Sequence, residues 1–85
     1  MNLELSEIAQ KKLKRLPRSI QKKTYKSFGL LLNNPRHPSL RSKKMAVANF
    51  YEARIDYHYR FAFSIEGDTI LVLTLGLHDE GLGKK

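Results

Sequence analysis

The chain has 85 residues, the length of one domain (1–85), and a domain this small buries only about 60% of its unfolded surface, so its core is thin. It contains no cysteine, which excludes a disulfide framework and a thiolate metal site, and its apolar runs are too short to span a bilayer. Lys and Arg total 16 against 8 Asp and Glu, a net charge of +8 that attracts polyanions: nucleic acid first, then an acidic protein, then an anionic membrane.

The N-terminus, "MNLELSEIAQKK", lacks the basic-then-apolar layout of a signal peptide, and a soluble cytoplasmic protein is expected. "NLEL" alternates polar and apolar residues and reads as a short strand over residues 2–5. Ser6 then caps a helix, with Glu7 at its positive end. Ala9, Leu13 and Leu16 fall on one stripe of that helix, and Lys11, Lys12, Lys14 and Arg15 occupy the rest. Pro17 breaks the pattern and opens a second helix, residues 18–33, whose buried face is Ile20, Thr24, Phe28, Leu31 and Leu32. Asn33-Asn34-Pro35 stops it.

A basic linker over residues 35–45 carries two prolines. Strand pattern resumes near Lys43 or Met45. In "FYEARID", Tyr51, Ala53 and Ile55 share one face and Glu52, Arg54 and Asp56 the other. In "YRFAFSI", Tyr59, Phe61, Phe63 and Ile65 oppose Arg60, Ala62 and Ser64. Gly67-Asp68 is a tight hairpin turn, and "TILVLTLGL" is apolar nearly throughout, the mark of a central strand covered on both sides. The fold class is α+β, order β-α-α-β-β-β: a helix hairpin on one face of a small, mostly antiparallel sheet, with the first strand beside the last.

The helices cover the aromatic face, so Arg54 and Arg60 are left together on the other. Two readings stand for this pair. One is an ion-pair ladder with Glu52 and Asp56, worth little at a surface. The other is a phosphate clamp, since arginine offers bidentate donors and keeps its charge. His78, beyond Gly76, is either a polar edge residue or a proton carrier, and the pairing register decides which face it shares. Phosphodiester cleavage by a neighbouring 2′-hydroxyl needs a proton removed, a proton delivered and charge stabilised between them. His37, His58 and His78 lack ligand spacing, and no metal site is expected. There is no Walker loop, no GxGxxG and no nucleophile elbow.

The pieces "LKRLPRSIQKK", "LLNNPRHPSLRSKKM" and "YEARIDYHYRFAFSIEGDTILVLTLGLHDE", in this order, resemble the RelE/ParE superfamily of toxins from toxin–antitoxin pairs. RelE, YoeB and YafQ types cleave messenger RNA in the ribosomal A site without metal, whereas ParE members poison DNA gyrase. The resemblance implies Arg54, Arg60 and His78 as catalytic residues and Lys43, Lys44 and Arg41 as RNA contacts. Glu52, where the RelE type has lysine, is a base or a salt-bridge partner. The aromatic residue that often follows the last strand is replaced by "EGLGKK". The expected protein is an mRNA endonuclease toxin with no cofactor and no membrane partner. Its partners are an acidic antitoxin, the ribosome and mRNA. The alternatives are a non-enzymatic gyrase inhibitor and a degenerate toxin that binds only its antitoxin.

Overall fold

The computed structural model describes residues 1–45 and 50–77. Strand β1, Asn2–Leu5, runs into helix α1, Glu7–Arg15. Ser6 joins them: its Oγ accepts from the Ala9 amide at 3.0 Å and donates to the Leu73 carbonyl at 2.6 Å. The cap thus satisfies an orphan helix donor and ties the helix start to the sheet. Glu7 lies in the first turn and Lys12, Lys14 and Arg15 in the last, as the helix dipole favours. Leu16 and Pro17 end α1, and helix α2, Arg18–Asn33, follows at once. The Gln21 amide reaches back to the Leu16 carbonyl at 3.0 Å, closing the corner between the helices.

A single 3₁₀ turn, Pro38–Leu40, leads to strand β2, Lys43–Lys44. Strands β3 (Tyr51–Arg54), β4 (Tyr59–Glu66) and β5 (Thr69–Leu77) complete a sheet of order β1-β5-β4-β3-β2. All neighbouring pairs are antiparallel except β1 with β5, where Asn2 pairs with Thr69 and Leu5 with Val72. Gly67 turns β4 into β5 at φ +61°, a conformation glycine adopts without steric cost. The register of β4 against β5 slips once, so that Ala62 faces Thr74 while Phe63 faces Val72, leaving Leu73 as an extra residue. This bulge accounts for part of the unbroken apolar run in β5: Val72 and Leu75 reach the same buried side at a spacing of three rather than two.

The core lies between the helices and one sheet face. Phe61 is fully buried and meets Phe28 of α2 edge-on, centroids 5.3 Å apart. Leu31, Ile70, Val72 and Leu75 close around them. Two sequence expectations fail here. Leu32 is 38% exposed, since α2 turns its Phe28–Leu31 side to the sheet. Asp56 does not share the arginine face: β3 ends at Arg54, and the turn beyond carries the Asp56 carboxylate to Lys23 of α2, 3.5 Å away. Among the described residues, no helix is long and apolar enough to cross a membrane.

Candidate functional site

The open face of the sheet gathers two cross-strand rows. Lys43, Glu52, Ala62 and Thr74 form one, and Arg54, Arg60 and Gly76 the other. Strand alternation sends the neighbours of these residues, Ala53 and Phe61, into the core. The row of Arg54 and Arg60 is therefore fixed by burial on the far side, because a slip of one residue would bury both arginines. Gly76 completes the row without a side chain.

Glu52 is 4% exposed, although it lies on the face away from the helices. Its Oε2 has no hydrogen-bond partner among the described residues, and neither has the buried Nε of Arg54. Glu52 is two residues from Arg54 on the same strand and diagonal to Arg60 across the ladder. Diagonal neighbours lie about 7–8 Å apart at Cα, within reach of long side chains. A carboxylate and two guanidinium-bearing side chains thus share one face of the sheet, where Glu52 Oε2 and Arg54 Nε are buried without a hydrogen-bond partner among the described residues. That combination can move a proton and hold an anion. Among the described residues no three His, Cys, Asp or Glu side chains cluster as a metal site.

The arginine face ends at a well-held turn. The Asp56 carboxylate accepts from the His58 amide at 2.8 Å and the Tyr59 amide at 2.9 Å. Burial raises the Asp56 carboxyl, but these amides and the Lys23 ammonium outweigh it and leave the group below its ordinary value. Tyr57, at the tip, is 76% exposed.

The expected RNA contacts divide. Lys43 pairs with Glu52 on the arginine side, whereas Lys44 pairs with Tyr51, which faces the helices. Lys44 and Arg41 line a cleft of about 730 Å³ on that side, floored by Tyr51, Phe63 and Ile65. Lys43 borders it as well. The Tyr51 and Phe63 rings stack at 5.3 Å with 15° between planes. Sequence reasoning missed this cleft. Its signal was the stop at Asn34-Pro35, which ends α2 before it covers the outer end of β4. His78 lies outside the described residues.

The fold matches solved toxins. A YoeB/ParE toxin from Agrobacterium tumefaciens superposes with a TM-score of 0.79 at 15% identity, over 92% of this chain and 99% of that one. RelE in an archaeal RelE–RelB complex from Pyrococcus horikoshii gives 0.78 at 19%, over 94% and 97%. The intact E. coli RelBE toxin–antitoxin complex gives 0.74 at 18%, over 92% and 96%. A comparison with curated proteins returns no match. The family model described as ParE toxin of type II toxin–antitoxin system, parDE, matches residues 3–81, and the chain belongs to this toxin family of the RelE/ParE superfamily.

Proposed function

We propose that residues 1–85 act as one domain, a cytoplasmic toxin that cleaves ribosome-bound mRNA and is restrained by an acidic antitoxin. The observation that carries this reading is the placement of Glu52, with an unpartnered buried oxygen, beside the facing pair Arg54 and Arg60. In the proposed step Glu52 takes the proton of the 2′-hydroxyl. The 2′-oxygen attacks phosphorus, and Arg54 and Arg60 stabilise the charge on the pentacovalent phosphorane. The bond to the 5′-oxygen breaks, and His78 gives that oxygen a proton. The products are a 2′,3′-cyclic phosphate and a 5′-hydroxyl. Residues of the chain supply all three parts, so the step as proposed draws on no metal. Lys43, in the Glu52 row, and Lys44 and Arg41 hold the RNA backbone.

The experiment is primer-extension mapping of mRNA ends after induced expression. Cuts within translated codons support the ribonuclease. A second reading, gyrase inhibition by binding, is favoured by the description of the matching family model. It predicts a DNA-damage response with intact messages.

A further inference from the structure

The turn between β3 and β4 carries two rings that the chemistry above does not use. Its backbone is closed from both sides. The Tyr59 carbonyl accepts from the Ile55 amide at 2.9 Å and from the Asp56 amide at 3.2 Å, and the Asp56 carboxylate accepts from the amides of His58 and Tyr59. At the tip, Tyr57 is more exposed than any other large apolar side chain among the described residues. Its ring meets that of His58 edge to face, with centroids 5.0 Å apart and planes at 83°. Such a contact covers at most one face of the tyrosine ring, so the other is open to a flat partner.

Packing does not account for this ring. Tyr51 and Tyr59 on the flanking strands lie against the core, whereas the turn holds Tyr57 away from it. Tyr57 is three residues from Arg54 and three from Arg60, at most about 11 Å of chain each way. The ring therefore stands at the end of the ladder where the two arginines face each other. Single-stranded RNA asks for this combination: a cation for the phosphate and an aromatic face for the unstacked base. A protein partner would ask for an apolar surround, and the immediate neighbours of Tyr57 in the chain, Asp56 and His58, are both polar.

We infer that Tyr57 is a stacking platform for one nucleobase of the message, at or next to the phosphate that Arg54 and Arg60 hold, with His58 bracing the ring. The inference rests on the RNA part of the proposed function and adds to it the residue that grips the base. Every nucleobase has a π-face, so the platform fixes the position of the strand and tolerates its sequence.

The test uses the full chain and ribosomes programmed with a message whose A-site codon carries 2′-O-methyl groups, which block cleavage. 2-Aminopurine is placed at one codon position at a time, and its emission reports stacking. The unaltered protein should quench it at one position. Tyr57→Ala should abolish the quenching and weaken binding about 5- to 150-fold, the loss of one base–aromatic stack, with an unchanged melting curve. Its salt dependence should equal that of the unaltered protein, since stacking releases no counterions. Tyr57→Phe should keep both quenching and affinity. Undiminished quenching by folded Tyr57→Ala overturns the inference. So does ribosome binding by the unaltered protein without quenching at any position, which would give the ring to another surface. Failure of the unaltered protein to bind ribosomes overturns the proposed function itself. Quenching that depends on Tyr57, with an unmethylated message left uncut, upholds the platform and overturns only the nuclease.

Discussion

Arg54 and Arg60 stand directly opposite each other across the β3–β4 ladder. Opposite residues hold their Cβ atoms about 4.5–5.5 Å apart, and like charges so placed destabilise a sheet. The buried carboxylate of Glu52, on the same face, is placed to offset part of that cost. Arg54→Met removes one charge and the unpartnered Nε. The protein should become no less stable and gain up to about 1 kcal/mol, while cleavage falls about 10²–10³-fold. Thermal unfolding and a cleavage assay on the same sample check both halves. A folded Arg54→Met protein with undiminished cleavage would leave the pair without a catalytic role.

Glu52→Gln keeps the shape of the side chain and removes its charge. If Glu52 is the base, cleavage should fall about 10²–10⁴-fold with ribosome affinity unchanged. The acidic limb of the pH–rate profile should vanish with it. His78→Ala should remove the alkaline limb instead. Full cleavage by Glu52→Gln would reduce Glu52 to a salt-bridge partner.

The turn at Asp56 predicts a pH dependence of stability. The folded carboxyl has a lowered pKa, so its stabilisation is complete above the unfolded value of about 3.9 and is lost as pH falls through the folded value. Asp56→Asn should show less acid destabilisation than the unaltered protein as pH falls below about 4. Parallel unfolding curves over that window would show that the turn contributes nothing through its charge.

Phe61 is the hinge of the packing, in contact with Phe28 at 5.3 Å and Phe63 at 5.7 Å. Phe61→Ala should cost about 3–5 kcal/mol, a large part of the stability of a domain this size. Denaturant titration measures it, and Phe61→Leu should recover part of the loss. A cost under about 1 kcal/mol would mean that the core repacks freely.

Order and faces were legible where one local signal dominated. Ser6 before an apolar stripe, Pro17 between helices and Gly67-Asp68 between strands each dictate backbone geometry by themselves. The facing of Arg54 and Arg60 followed from alternation on two strands joined by a short turn. Alternation misled where strands end, and Asp56 was carried past the end of β3 into a face it does not reach. It also separates Lys43 from Lys44, since adjacent strand residues point to opposite faces. Arg41, at φ +47°, belongs to a turn that periodicity does not describe. The burial of Glu52 depends on long-range pairing, and no property of its neighbours in sequence announces it.

The parallel pairing of β1 with β5 has a consequence for folding. Asn2 pairs with Thr69, far along the chain. β5 lies between β1 and β4, so the sheet stays open until this last of the described strands is in place. Until then, β1 has no neighbour, the Ser6 hydroxyl has no Leu73 carbonyl, and the core lacks Ile70, Val72 and Leu75. Closure of so long a loop is a late event in folding. The sheet therefore closes only when its first and last described strands meet, and a chain cut short before Thr69 would lose both the partner of β1 and the anchor of the Ser6 hydroxyl.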